Sequence, residues 1–355
     1  MSGVHQFVPM LHEGDAVGRH TMKLRELLTA RGITSRIYVD LTDPKTASET
    51  TPATAYLAHA EPGDILLYQF ATASDLAPWL ASRGETLVVN YHNVTPPEYY
   101  APWDNGLARH QLRAQQELRA LAARTTLAVG VSVHNEAELR QAGFRSTSVV
   151  PPAAMLPVLD AGAPRAAPRA APRQHGARWL SVGRLAPNKA LQHALMALLV
   201  TRAHHDPEAT LQIVGHRVVP SYTRALHRYV ADLGLRDVVT LDGHLSDPEL
   251  ADAFAAADVL VMTSAHEGFG IPVIEAMHTG LPVVANRAGA LPEVVGDAGV
   301  LVDTADPYAL SWAVARLLAD PSRCAALAEA GRRRLNALDL AGAGDRLIDQ
   351  VIALR

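Results

Sequence analysis

The sequence predicts an α/β chain built as two doubly wound parallel sheets, and three observations carry that prediction. Short β-branched runs alternate with longer Ala/Leu/Arg-rich stretches, the pattern of parallel strands joined by crossover helices and not of a sandwich. The alternation occurs twice, on either side of PRAAPRAAPR (164–173), a low-complexity stretch whose prolines remove backbone donors and favour extended, solvated chain. The length of 355 residues exceeds what one hydrophobic core usually organises.

In the first half, strands are expected at VHQFVPML (4–11), SRIYVD (35–40), DILLYQF (64–70), TLVVNYH (86–92), LAVGVS (127–132) and STSVV (146–150), with helices near 17–31, 105–124 and 134–142. The second half repeats the pattern with RWLSVG (178–183), ATLQIVG (209–215), VVTLDG (238–243), VLVMTS (259–264), PVVAN (282–286) and GVLVD (299–303). The expected domains are 1–160, a linker over 161–174, a second domain over 175–338, and a final helix within 339–355 that crosses back to the first domain. Sheets of this class bind ligands beyond the carboxyl ends of their strands, so the two domains are expected to face a central cleft.

Composition narrows the function classes. Hydrophobic residues make up 48% and charged residues 19%, as in soluble globular proteins. The formal net charge of −4, from 32 Lys plus Arg against 36 Asp plus Glu, supplies no basic field and weighs against nucleic acid as a partner. The single cysteine, Cys324, can form no internal disulfide and no cysteine-based zinc cluster, which suits a reducing, cytoplasmic location. The first residues lack the basic start and apolar run of a secretory signal, and no run of about 18 apolar residues follows. Arg109, Arg113, Arg119 and Arg124 fall partly on one side of an expected helix; a solvated basic face is the simpler account, and contact with a membrane surface the alternative.

Two segments carry the chemistry. HEGFGIPVIEAM (266–277) runs from the strand VLVMTS through a glycine-bordered turn into a helix. Gly268 and Gly270 allow close approach of backbone to a ligand, Pro272 suits a first helical turn, and the free amides at the helix start can face an anion. Glu267 precedes the turn and Glu275 follows eight positions later; carboxylates flanking an anion-binding turn suit a ligand with sugar hydroxyls on either side of a diphosphate. Complementing the helix dipole is the plainer role for Glu275. The second segment, SVGRLAPNKALQHAL (181–195), also passes from strand through a glycine-containing loop to a helix, with Arg184 and Lys189 flanking the loop. Two such cations can grip a diphosphate and absorb the charge that builds on it as a sugar departs. The spacing is not that of a Walker loop.

Together these segments resemble the donor domain of glycosyltransferase family 4, whose members have the GT-B fold. GRLAPNK resembles that family's Arg/Lys diphosphate motif, and Glu267 to Glu275 its E-x7-E signature with the internal EGFG; the likeness continues through LPVVANRAGALPEVVGDAGVLVD (281–303). In the first half, HEGDAVGRH (12–20) resembles the family's glycine loop, with Gly14 and Gly18 as permissive positions and Asp15 beside them, although the usual paired glycines are absent. YHNVTPPEYY (91–100) resembles the segment that places a histidine, here His92, beside the transferred sugar, and Asn93, Thr95 and Glu98 follow it toward the acceptor.

The resemblance implies an N-terminal acceptor-binding and a C-terminal donor-binding domain, with transfer of a hexose to a hydroxyl acceptor and retention of anomeric configuration. The acceptor attacks from the face that the nucleoside diphosphate leaves. The implied catalytic set is His92, Glu267, Arg184 and Lys189. The implied donor contacts add Gly268, Phe269, Gly270, Ile271 and Glu275, with Gly215, His216, His244 and Leu245 near the base. No cofactor is implied beyond a nucleotide-diphosphate sugar as donor substrate, with UDP-hexose preferred over GDP or dTDP sugars. The sequence has no Asp-x-Asp tripeptide to carry a divalent cation on the donor, so a metal-free mechanism is expected. Peripheral membrane association would follow from a lipid-linked acceptor. Two other readings stay open: an epimerase or hydrolase of the same fold that releases free sugar, and a non-catalytic nucleotide-sugar-binding protein.

Overall fold

A computed structural model describes residues 2–12, 15–153 and 176–355. Gly14 and the expected linker 161–174 lie outside the described residues. The described chain divides into two compact units, the first holding 2–98, 105–153 and Asp339–Arg355, the second Tyr99–Asp104 and 176–338.

The first unit contains β1 (Val4–Val8), α1 (Ala16–Ala30), β2 (Ile37–Val39), β3 (Thr51–Pro52), β4 (Ile65–Phe70), α2 (Leu76–Ala81) and β5 (Thr86–Tyr91). The short α3 (Pro97–Tyr100) spans the division, and α4 (Asn105–Leu121), β6 (Leu127–Gly130), α5 (Val133–Ala142) and β7 (Thr147–Val149) follow. Its sheet is parallel in the order β3-β2-β1-β4-β5-β6-β7. The order reverses beside β1, which makes the carboxyl ends of β1 and β4 the switch point where ligands of doubly wound sheets bind. Strands β1 and β4 are buried along their whole length, as the central strands of a sheet covered on both faces must be. The expected strand 4–11 stops at Val8, and the two-residue β3 is a strand that periodicity could not reveal.

The second unit contains β8 (Arg178–Val182), α6 (Leu191–His204), β9 (Thr210–Val214), α7 (Pro220–Asp232), β10 (Val239–Asp242), α8 (Asp247–Ala256), β11 (Val259–Met262), α9 (Ile271–Thr279), β12 (Val283–Asn286), α10 (Leu291–Val295), β13 (Val300–Val302), α11 (Pro307–Leu318) and α12 (Pro321–Leu338). The sheet order is β10-β9-β8-β11-β12-β13, again parallel. The switch point lies between β8 and β11, the two strands that lead into the cationic loop and the glycine-bordered turn.

The last helix, α13 (Leu340–Ile352), belongs to the first unit. Ala343, Leu347, Ile348 and Val351 form one apolar stripe and are buried with Leu24 and Leu28 of α1. Gly344 permits the close approach, since a Cβ there would lie 2.4 Å from Leu27 Cδ1. Arg31 at the end of α1 binds Asp345 and Asp349 of α13 at 2.7 and 2.6 Å. Asp339, in the left-handed region at φ 44°, turns the chain out of α12 and caps α13 by accepting from the Gly342 amide. Among the described residues, no helix is long and apolar enough to cross a membrane.

Candidate active site

In the second unit, the loops leaving β8, β9 and β10 are tied together by backbone. The Gly183 amide donates to Val214, Leu185 to His216, and Gly215 to Gly243, at 2.9, 2.7 and 3.1 Å. A Cβ on Gly215 would stand 2.0 Å from the Gly183 carbonyl oxygen, so glycine is required there for loop contact. His216 and His244, at the ends of β9 and β10, stack with ring centroids 4.3 Å apart and planes within 14°. Both rings are exposed, and Leu245 beside them is half-buried.

The loop after β8 closes in a single 3-10 turn, Pro187–Lys189. Asn188 holds this turn against the loop after β11: its carbonyl accepts from the Ala265 amide at 2.8 Å, and its Nδ2 donates to the His266 carbonyl at 3.1 Å. Thr263 Oγ1 donates to the Lys189 carbonyl at 2.9 Å. Lys189 is thereby fixed so that its Nζ meets Glu267 Oε2 at 2.5 Å, with both side chains 13% exposed. Glu267 is itself pinned, because its carbonyl accepts from Ala290 and a Cβ on Gly289 would come within 2.4 Å of the Glu267 oxygen. Arg184 is exposed and, among the described residues, forms no ion pair.

The turn that follows delivers the chain into α9. Gly270, at φ 101°, occupies the left-handed region that only glycine adopts without strain, and serves as N-cap of α9. Ile271 is its first helical residue, Pro272 lies in its first turn, and Phe269 is buried at 7% exposure. Glu275 stands five residues in and is 2% exposed. A carboxylate that buried requires polar partners. The first-turn amides of α9, the Lys189–Glu267 pair and Arg184 thus come from adjoining strand ends, an arrangement able to hold a diphosphate with hydroxyls beside it.

In the first unit the expected residues divide. Asp15 is the N-cap of α1 and accepts from the Gly18 amide at 2.5 Å, a structural role. Gly18 is buried, and a Cβ there would meet the His12 carbonyl oxygen at 2.3 Å, so no side chain fits. Asn93, at φ 83°, gives its Nδ2 to Asn135 Oδ1 and Glu138 Oε2 at 3.0 and 2.9 Å; its amide holds the turn after β5. Thr95 is buried, whereas Glu98 is exposed on α3. Of the four arginines considered for a basic face, Arg113 binds Asp75 and Glu117, and Arg124 binds the Arg83 and Glu85 carbonyls. Arg109 and Arg119 remain exposed.

His92 follows β5, and its amide donates to the Phe70 carbonyl at 2.9 Å. Its Nε2 lies 2.8 Å from Gln69 Oε1, and its ring meets His20 edge to face with centroids 5.0 Å apart. Burial pushes the His92 imidazole down to about 4. Burial, then the neighbouring His92, pushes His20 well below the ordinary histidine range. Both rings are therefore neutral near pH 7. His20, Gln6, Gln69 and Asn90 are not among the residues expected from sequence; the available signal was amides inside largely apolar strands, where each must find a partner.

Residues 169–334 match the family Glycosyl transferases group 1. The MMP alpha-(1->4)-mannosyltransferase of Mycolicibacterium hassiacum is 42% identical over 151 residues, which cover 42% of this chain and 36% of that protein. The match thus spans little more than a third of the relative's length. Among solved structures, sucrose-phosphate synthase from Thermosynechococcus elongatus superposes with a TM-score of 0.78 at 23% identity over 100% of both chains. Anabaena HepE, solved in complex with UDP and glucose, gives 0.74 at 19% identity over 99% of this chain and 100% of that one. The chain has the GT-B fold, and its segment 169–334 matches the glycosyl transferases group 1 family.

Proposed function

We propose that this protein is a retaining, metal-independent glycosyltransferase of family 4 that moves a hexose from a nucleotide-diphosphate sugar to a hydroxyl acceptor. The observation that carries the reading is the Lys189–Glu267 pair, held at 2.5 Å beside the glycine-bordered start of α9. Each partner has a natural counterpart on such a donor: the ammonium a diphosphate oxygen, the carboxylate the sugar hydroxyls. Without donor they neutralise each other.

In this reading Arg184, Lys189 and the first amides of α9 grip the diphosphate and stabilise the charge that grows on it as the glycosidic bond breaks. The departing phosphate accepts the proton of the attacking hydroxyl, so no protein nucleophile or base is needed. Glu275 takes the ribose and Glu267 the transferred sugar. His92, neutral in its buried setting, contacts that sugar as a hydrogen-bonding group. The stacked imidazoles of His216 and His244 give the nucleobase a flat surface at the ends of β9 and β10, and UDP-hexose is the first donor to test. The setting is cytoplasmic, with the exposed Arg109 and Arg119 available to a membrane surface if the acceptor is lipid-linked.

A thermal-shift panel of UDP, GDP and dTDP sugars identifies the donor, and NMR of the product then reads anomeric configuration. Retained configuration, with turnover unaffected by excess chelator, is the expected result. Inverted product, or complete loss restored only by added metal, would defeat the mechanism. Release of free sugar with no transfer to any acceptor would instead favour the epimerase or hydrolase reading.

A further inference from the structure

A line of buried amides crosses the first sheet and ends on His92. Its fixed point is the Thr21 backbone carbonyl in α1, which can only accept. Gln6 Nε2 donates to that carbonyl at 2.9 Å, so Gln6 Oε1 faces the sheet interior. Gln69 Nε2 donates to Gln6 Oε1 at 2.9 Å, so Gln69 Oε1 faces β5. That oxygen receives Asn90 Nδ2 at 2.9 Å and stands 2.8 Å from His92 Nε2. Gln6, Gln69 and Asn90 are each at most 1% exposed, so water supplies no alternative partners, and the amides cannot turn independently.

We infer that Gln69 is a positioning residue for His92, holding the imidazole as the Nε2–H form and leaving Nδ1 as its outward hydrogen-bond acceptor. With Gln69 Oε1 turned toward it, the ring nitrogen carries the proton, because that oxygen has no proton to give. Among the described residues, His92 Nδ1 has no hydrogen-bond partner. The consequence for specificity rests on the proposed reading that His92 meets the transferred sugar. An acceptor nitrogen engages a sugar through a hydroxyl proton, so the site favours donors with a hydroxyl at the contacted carbon and penalises the matching deoxy sugars.

The branch through Asn90 sharpens the assignment. The Ala153 amide, which can only donate, lies 2.9 Å from His20 Nδ1, so a neutral His20 carries its proton on Nε2, 2.7 Å from Asn90 Nδ2. Asn90 meets both neighbours through one atom, and its Oδ1 is buried without a partner. One link of the line therefore joins like groups. On this inference it lies between His20 and Asn90, the arrangement in which Gln6 Nε2 keeps the Thr21 carbonyl and Gln69 Nε2 keeps Gln6 Oε1. Placing it between Gln6 and Thr21, or between Gln69 and Gln6, would reverse Gln69 and give His92 the opposite tautomer.

The test is long-range 15N–1H correlation on 15N-histidine-labelled protein without donor at pH 7, with the His92 signals assigned by His92→Ala. Wild type is expected to show Nε2–H, and Gln69→Leu to lose that preference. The variant should also lower kcat about tenfold while leaving nucleoside-diphosphate affinity unchanged. Wild-type protein with the proton on Nδ1 would overturn the inference, as would a folded Gln69→Leu protein with an unaltered tautomer. Gln69→Glu, which keeps an acceptor oxygen toward His92, should retain the Nε2–H form and supplies the answer if the leucine variant does not fold. Normal turnover in His92→Ala would bring down the sugar-contact reading alone, since the tautomer is measured without substrate.

Discussion

The two units solve the burial of polar groups in opposite ways. In the second, Lys189 and Glu267 are charged, partly accessible and matched to each other at 2.5 Å. In the first, Gln6, Gln69, Asn90, His20 and His92 are uncharged, and most are sealed from water. Charge is tolerable where a ligand or solvent can reach it, whereas deep in a sheet only neutral groups with fixed partners avoid a large desolvation cost. The charged pair is suited to exchanging partners. The neutral line is suited to holding one ring still.

Breaking the charged side should have the largest effect. Lys189→Ala is expected to lower donor turnover by about 10²- to 10³-fold, the usual consequence of removing one group that stabilises a leaving-group anion; single-turnover kinetics checks this. The neutral side should respond to acid. His92 has a folded value of about 4 against about 6.5 in the unfolded chain, so the unfolded state binds the proton first. Stability is then fully present above about pH 6.5 and is lost as pH falls toward 4, on the order of 2–3 kcal/mol from this ring, with His20 adding in the same direction. Urea melts between pH 7 and 4.5 should show a shallower acid loss in His92→Gln.

Freeing one member of the charged pair should have a smaller effect of opposite sign. Glu267→Gln is expected to bind the nucleoside diphosphate several-fold tighter, since about 1 kcal/mol of competing ion pair is removed, while sugar transfer falls; calorimetry beside a turnover assay separates the two. Weaker diphosphate binding in that variant would show that the pair does not compete with the ligand. The smallest change is expected from Asp15→Asn, because asparagine caps a helix about as well as aspartate. Stability should stay within about 0.5 kcal/mol with donor KM unchanged, whereas a large rise in KM would return Asp15 to the donor site.

Most of both sheets could be read from sequence because their strands are short apolar runs bounded by polar turns, and β4, β5, β8 and β11 start within one residue of where that pattern places them. Helix α2 could not, since LAPWLA places a proline inside six residues and offers no full period. Lys189, Glu267 and Gly270 were legible because each lies at a strand-to-helix turn, where residue type follows from backbone need. Gln69 was not: a glutamine in ILLYQF is only an interruption until β1 and β5 supply partners on either side. The bonds from Asn93 Nδ2 to Asn135 and Glu138 were not legible either, because those partners lie 42 and 45 residues away.

The sequence by itself determined the alternation of elements, the glycines at forced turns and the residue types available for gripping an anion, because these depend on contacts between near neighbours along the chain. Tertiary structure alone decided which polar groups meet. It paired Lys189 with a glutamate 78 residues away, ran the amide line through three strands to a histidine, and bound α13 to α1 across more than three hundred residues. Hydrogen bonds and ion pairs act over about 3 Å, and only folding brings such distant positions within that range.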